Sequence, residues 1–369
     1  MTPAMNLSIL KDYVPVINEC ARIFVQVLQD KQEKVGDKNF FCMKHALNNY
    51  TIDVMFRCLM SYETDIQTEP ENSDEKLDLI ELTEVLATTA HFKAYTPIPD
   101  FLWRLHPLRK KQLNAISRIH AILDGVINNR KNNDFEDGKE KYKNFLDLLL
   151  EAEAVDGNGF SLEEIREELL TVMLAGQETT FSTLTWFFSC FAKYPKWAEL
   201  ARAEIKKVLN GNLSQDVTYE HIMKLDLVSR MLKESQRMHP TIVQLNPRIL
   251  LKQDLKTSDG RVIRKNTDVC VNVAGLHMNP EVYENPEEYN PDRWFERKDN
   301  SAFAFIPFSA GARSCYGRMF AQIEMKAVIV NVIGRLAIEQ DENDPPRIKH
   351  SCTTALQDGF RVRVDELLE

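Results

Sequence analysis

Phe308-Ser309-Ala310-Gly311-Ala312-Arg313-Ser314-Cys315-Tyr316-Gly317 is the stretch on which the reading of this chain turns. It leads straight into an apolar-periodic segment, about Tyr316–Leu336, that reads as a helix. The thiolate of a cysteine, not the thiol, binds a metal. Cys315 stands where the helix starts, and there free backbone N–H groups and the helix dipole favour negative charge. Gly311 and Gly317 permit a sharp turn and a close approach of backbone to a flat ligand. Arg313 carries a guanidinium that forks onto a carboxylate. The bland alternative is that a lone cysteine is a small buried hydrophobe. That alternative suits Cys20, Cys42, Cys58, Cys190 and Cys352, and the six cysteines other than Cys315 read as ordinary buried thiols.

Working outward, Glu234-Ser235-Gln236-Arg237 places an acid and a base three residues apart on a helix, about Thr218–Met238, that Pro240 stops. Alone, such a pair is most simply an exposed ion pair. Pro291-Asp292-Arg293-Trp294 lies in a meander, His277–Phe308, with little periodicity. Ser161 with Glu164 forms a capping box, and no proline follows until Pro195. This predicts a helix of roughly 33 residues, about 50 Å long at 1.5 Å per residue. Its second half, from Phe181 to Ala192, is apolar on nearly every side, so it is expected to be buried at the centre of the domain. Within it lies Ala175-Gly176-Gln177-Glu178-Thr179-Thr180. A carboxylate and hydroxyls in a greasy helix are costly unless they serve something. Gly176 costs about 1 kcal/mol relative to Ala there but leaves room for a ligand. A threonine hydroxyl can also simply bend the helix.

The rest of the chain supplies the frame. Helices are expected at about Leu10–Asp30, Cys42–Met60, Leu77–Lys93, Leu108–Lys131, Phe145–Ala154 and Lys196–Asn210. The segment Glu63–Lys76 and the charged run over residues 128–144 read as solvated loops. Ile249–Val273, with the turn Ser258-Asp259-Gly260, reads as hairpin strands, and a short β segment closes the chain. The expected fold class is mainly α with a small β portion, in one domain over residues 1–369, with no internal repeat.

Composition narrows the function classes. Hydrophobic residues make up 44% and charged residues 27% of 369, which argues against a disordered chain. The net charge of −9 offers no basic field for nucleic acid. Seven cysteines without a CxxC suggest neither a disulfide framework nor a zinc knuckle. No run of about 18 apolar residues indicates a transmembrane helix, and the N-terminus lacks the pattern of a signal peptide.

The cysteine loop resembles the haem-binding loop of the cytochrome P-450 superfamily at all five fixed positions: Phe308, Gly311, Arg313, Cys315 and Gly317. The other motifs follow in the family's order. The resemblance implies haem b (iron protoporphyrin IX) as cofactor, with Cys315 as axial ligand to iron. Such a thiolate pushes electron density to the metal and favours O–O cleavage. It implies that Arg313 and Arg248 reach the haem propionates, with His277 at a position where many members carry a nearby functional His or Arg. Glu234, Arg237 and Arg293 become structural supports of the loop, with Trp294 in place of the commoner Phe. Glu178 and Thr179 inherit the acid–alcohol role of proton delivery during dioxygen activation. Val243–Asn246, Thr353–Ala355, Met173, Ala175 and Thr179 would line the substrate pocket.

The same resemblance implies a monooxygenase of the microsomal type acting on an apolar small molecule: a sterol, fatty acid or xenobiotic. Dioxygen is the co-substrate, and electrons come from NADPH through NADPH–cytochrome P-450 reductase. That partner is expected to dock over a basic patch of Arg313, Arg318 and Lys326. The location implied is the cytoplasmic face of the endoplasmic reticulum membrane, through an N-terminal anchor absent from this chain. The motif wording is similar to that of sterol and fatty-acid hydroxylases. A haem-thiolate isomerase or dehydratase is the rival reading, and a non-catalytic fragment the third. Family members carry a substantial portion before the point matching Met1. A fragment or incomplete gene product is the expected reason, with a natural truncated variant as the alternative and an incompetent isolated chain as the consequence.

Overall fold

The structure is a computed structural model that describes residues 5–69, 74–132, 143–156, 159–249, 253–295, 303–350, 353–356 and 359–367. The first half holds α1 (Leu7–Val35), β1 (Phe41–Cys42), α2 (Lys44–Met60), α3 (Asp74–Tyr95), α4 (Asp100–Trp103), α5 (Pro107–Asn132), α6 (Phe145–Asp156) and α7 (Leu162–Lys193). The second half holds α8 (Pro195–Val208), α9 (Tyr219–Lys224), α10 (Asp226–Met238), β2 (Gln244–Ile249), β3 (Leu255–Lys256), β4 (Val262–Ile263), β5 (Asp268–Asn272) and α11 (Val273–His277). It closes with α12 (Arg318–Ile333), β6 (Leu336–Gln340), β7 (Ile348–His350), β8 (Thr354–Leu356) and β9 (Arg361–Glu366). The fold is mainly α with small antiparallel sheets: β1-β9-β6, β2-β5, β3-β4 and β7-β8.

The helix α7 organises the molecule. Ser161 Oγ accepts from the Glu164 N–H, and the Glu164 carboxylate accepts from the Ser161 N–H, so both partners of the expected capping box are in place. From there α7 runs 32 residues against α2, α5, α6, α8, α10, α12, β6 and β8. Phe181, Leu184, Trp186, Phe187, Phe188 and Phe191 are all buried in it. Each such side chain contributes about 1.5–3 kcal/mol. Two polar members of that stretch bond within the helix, Thr183 to the Thr179 carbonyl and Thr185 to the Phe181 carbonyl, while Ser182 and Trp186 donate to the Thr354 carbonyl of β8. One set of apolar side chains continues from Leu10 in α1 to Val364 in β9.

Several expectations are corrected. The helix predicted over Thr218–Met238 is two helices, broken at Leu225. The break has an electrostatic cause. The Glu204 carboxylate, from α8, accepts the backbone N–H groups of Asp226, Leu227 and Val228 at 2.9, 2.8 and 2.9 Å, making a new helix start. The segment after Glu63 is not simply solvated. Ile66 and Gln67 are buried, because Thr64 and Gln67 donate to the buried Asp53 carboxylate at 2.6 and 2.7 Å. Residues 70–73 lie outside the described residues.

The charged run over 128–144 is also not one loop. Its start continues α5, and residues 133–142 lie outside the described residues. At its end Asn144 is buried and accepts from the Asp147 N–H at 2.9 Å, capping α6. Among the cysteines, Cys20, Cys58 and Cys190 are buried as expected. Cys42 is half-buried, Cys270 is exposed on the outer face of β5, and Cys352 lies outside the described residues.

Candidate active site

The site is held by one buried carboxylate. Glu234 and Arg237, on α10, are both wholly buried, so their pair is not the exposed one that spacing alone suggests. Glu234 Oε1 accepts from Arg237 Nη2 (2.9 Å), Arg293 Nε (2.8 Å) and the Asn290 N–H (3.0 Å). Its Oε2 accepts from Arg237 Nε (3.0 Å) and Trp294 Nε1 (2.9 Å). A buried charge is tolerable when its lone pairs are used in this way. Tryptophan at position 294 therefore adds a donor that a phenylalanine would lack.

From this carboxylate a chain of contacts reaches the cysteine loop. Arg237 Nη1 donates to the His277 carbonyl at 3.1 Å. The His277 ring, fully buried against Phe305, accepts the Ile306 N–H at Nε2, 3.0 Å away. The Ile306 carbonyl accepts the Ser309 N–H at 3.0 Å, and the Phe308 carbonyl accepts the Cys315 N–H at 2.8 Å. His277 is thus buried, and it is a strut between the α10 network and the segment leading to Phe308.

The loop turns at Ser309 (φ 61°) and Gly311 (φ 78°). Gly311 uses the left-handed freedom of glycine. Gly317 does not, with φ −81°. A Cβ at either glycine would meet no atom within 4 Å, so the backbone there is open to a flat group. Phe308 packs on the core, and the Arg318 guanidinium lies over its ring at 5.8 Å.

Cys315 is exposed, two residues before the Gly317 cap of α12. Contrary to the expectation from the helix start, its thiol is pushed up. Partial enclosure by neighbouring atoms outweighs the Gly317 N–H and the Arg318 charge, which pull it down. Coordination to a metal removes a thiol proton outright. Arg313 is exposed and makes no hydrogen bond or ion pair among the described residues. An open thiol, an open glycine backbone and an uncommitted guanidinium fit a flat metal-bearing group with carboxylates. Arg248 lies on β2 opposite Val269, and its side chain lies outside what is described.

On α7, Glu178 and Thr179 are half-buried. The Thr179 hydroxyl donates to the Ala175 carbonyl at 2.7 Å. Glu178 Oε1 accepts from Thr353 Oγ1 at 2.6 Å, a contact that sequence spacing gives no sign of. Gly176 serves packing and not ligand space: a Cβ there would stand 2.4 Å from Met55 Cε of α2. Met173 is buried in the core, whereas Ala175 and Thr179 share the opposite, more open side of α7. Val243 and Gln244 are half-buried, and the side chains of Asn246 and Ala355 lie outside what is described. Of the expected basic patch, Arg313 and Arg318 are exposed. Lys326 is half-buried, its ammonium pushed down by burial and by Lys233.

One buried group escaped the sequence reading. Glu324, on α12, is fully buried, and neither carboxylate oxygen has a hydrogen bond among the described residues. Burial pushes its carboxyl well up, with Tyr50 and Cys58 within electrostatic reach. The unfolded chain releases this proton above about pH 4.3, while the folded chain keeps it. Stability therefore falls as pH rises from there through neutrality. Glu324→Gln is expected to be more stable than the parent at pH 8 and to show a smaller loss between pH 5 and pH 8. Urea unfolding at both pH values checks this; equal losses in the two proteins would contradict it.

Comparison with known proteins adds the following. The family profile described as Cytochrome P-450 matches residues 1–359. The chain is 32% identical to cytochrome P-450 4F2 of Homo sapiens over 380 aligned residues, covering 100% of this chain and 71% of that protein. It is 31% identical to leukotriene-B4 omega-hydroxylase 3 of Mus musculus, over 100% of this chain and 70% of that protein. The crystal structure of the cytochrome P-450DA heme domain superposes with a TM-score of 0.82 at 24% identity, covering 100% of this chain and 76% of that one.

Proposed function

Since this chain belongs to the cytochrome P-450 family, a family of haem monooxygenases, we propose that it hydroxylates a long-chain fatty-acid-type lipid at or near its terminal carbon. The observation that carries the choice of substrate is the 31% identity, over the whole chain, to a leukotriene-B4 omega-hydroxylase. The overall reaction balances as C–H plus dioxygen, two electrons and two protons giving C–OH and water.

The haem, when bound, supplies the redox centre at which dioxygen is activated. Cys315 is the residue that would ligate its iron. Arg313, without a partner of its own among the described residues, would pair with a propionate, and Arg248 with the other. Phe308, Gly311 and Gly317 would leave the loop backbone open along the ring. The Thr179 hydroxyl, whose proton is engaged by the Ala175 carbonyl, keeps its oxygen lone pairs for a second hydrogen bond. The neighbouring Glu178 carboxylate is the group that exchanges protons with solvent and hands them on. Ala175 gives that face of α7 an apolar edge, which suits an alkyl chain. The rival isomerase reading has no use for an acid beside an alcohol at this point of α7.

Electrons would come from NADPH through a diflavin reductase that meets the exposed Arg313 and Arg318 on the cysteine-loop face. The endoplasmic reticulum membrane is the proposed location. No described helix is long and apolar enough to cross a membrane. Phe101, Leu102 and Leu105 are exposed around α4, beside Arg104, a surface suited to lying against lipid. The test is turnover of an isotope-labelled saturated fatty acid by the haem-loaded chain with NADPH and reductase in lipid vesicles. The terminal alcohol is the expected product. Oxidation of a sterol in preference to the fatty acid would overturn the substrate assignment.

A further inference from the structure

The hydrogen bond between Glu178 and Thr353 joins groups 175 residues apart. Among the described residues it is the hydrogen bond that the Glu178 carboxylate accepts, and its donor comes from the segment before β8. That segment is itself fastened to α7. The Thr354 carbonyl accepts from Ser182 Oγ at 2.6 Å and from Trp186 Nε1 at 2.9 Å. The Thr354 N–H donates to the Thr241 carbonyl at 2.8 Å. Thr241 Oγ1 lies 2.8 Å from Thr183 Oγ1, and Thr183 donates to the Thr179 carbonyl at 2.8 Å. Contacts therefore run from Thr179 through Thr183, Thr241 and Thr354 to Thr353, and return to α7 at Glu178. Thr353 and Thr354 are each only 4% exposed, so water competes little for these bonds.

We propose that Thr353 is a positioning residue for proton delivery: its hydroxyl aims the Glu178 carboxylate. The segment that carries Thr353 would also touch the substrate, and so the seating of the substrate sets the acid. This rests on the monooxygenase reading above. The physical reasoning is one of geometry. A glutamate has three side-chain torsions, and a half-buried carboxylate held by one donor has a defined direction only while that donor is in place. A charge-assisted bond of this kind is among the stronger ones. Because the donor sits on a different segment from the acid, a displacement of residues 353–356 by a bound chain is felt at Glu178. A displacement of α7 itself is not required.

Two experiments decide the matter. The first is independent of turnover. Melting temperatures are compared for Thr353→Val, Glu178→Ala and the double variant. A shared hydrogen bond makes the double loss clearly smaller than the sum of the single losses; additive losses would remove the contact and the proposal with it. The second uses the haem-loaded chain with NADPH, reductase and the labelled fatty acid. Thr353→Val is expected to lower kcat for hydroxylation about tenfold. Peroxide released per NADPH should rise in step, with KM within about twofold of the parent. Thr353→Ser, which keeps the donor, should restore both. Coupled melting losses with unchanged kcat and peroxide yield would mean that Thr353 is a packing contact alone, and would overturn the proposal. If the parent chain fails to oxidise the fatty acid at all, the substrate reading fails. Peroxide released per NADPH by Thr353→Val and by the parent without substrate then decides the remaining point: a higher yield in the variant is expected, and equal yields would sink the positioning role.

Discussion

Replacing Cys315 by alanine is expected to abolish hydroxylation and, on reduction under carbon monoxide, the red-shifted Soret band of thiolate-ligated haem. Its effect on folding should nonetheless be slight. Cys315 is exposed and its side chain is small, so the fold loses little beyond what a surface substitution costs, about 0.5 kcal/mol. The loop conformation is set by other groups: the Phe308 carbonyl accepts the backbone N–H of residue 315, which alanine also supplies. The prediction is therefore a separation, with near-normal urea unfolding beside a complete loss of the thiolate signature. A Cys315→Ala protein that kept the band would move the ligand to another residue. Cys20, Cys58 and Cys190 are buried, with burial pushing their thiols up, and are poorly suited to replace it.

Glu234→Ala should have the opposite character. Removing that carboxylate takes away the acceptor for Arg237, Arg293, Trp294 and the Asn290 N–H together. Arg237 would be left fully buried with its charge uncompensated. Breaking one partner out of a buried pair costs about 3–5 kcal/mol, a large share of the roughly 5–15 kcal/mol that holds a typical domain. The damage should also travel, because Arg237 holds the His277 carbonyl and His277 holds the Ile306 N–H ahead of the cysteine loop. The expected result is a lower urea midpoint together with weakened haem retention, even though Glu234 is itself fully buried. Glu234→Gln keeps an acceptor without the charge and should fall between the two. Unfolding of Glu234→Ala within about 1 kcal/mol of the parent would show that the network is not what stabilises the loop.

How much of this was legible beforehand depended on whether the signal was local. The capping box at Ser161 and Glu164 and the apolar second half of α7 are short-range patterns, and the observed 32 residues match the expected length. The cysteine loop carries its chemistry within ten residues, and its turn at Gly311 follows from residue type. Contacts made across the fold were not legible. The break between α9 and α10 depends on Glu204 reaching over from α8, and no feature at Leu225 announces it. Gly176 looked like space for a ligand, but the space belongs to Met55 of α2. His277 reads equally as an ordinary surface histidine or a functional one, and its burial beside Ile306 comes only from the fold. Glu324 looks like one more charged residue on a helix, and only the packing of α12 shows it to be enclosed. Thr353 and Glu178 lie 175 positions apart and leave no periodic trace of their contact.

The comparisons moved the substrate more than the site. Motif wording is similar to that of both sterol and fatty-acid hydroxylases. The proposed fatty-acid-type substrate rests on the 31% identity to a leukotriene-B4 omega-hydroxylase. The chain spans 71% of the length of the human 4F2 protein.

The central claim is that the loop from Phe308 to Gly317 holds haem through Cys315, and the most direct measurement is optical. The purified chain is loaded with haem, reduced, and exposed to carbon monoxide, and the difference spectrum is recorded. The account predicts a strongly red-shifted Soret band that scales with bound haem and is absent in Cys315→Ala. A bound haem whose carbon monoxide complex shows the unshifted Soret band of histidine ligation would contradict it.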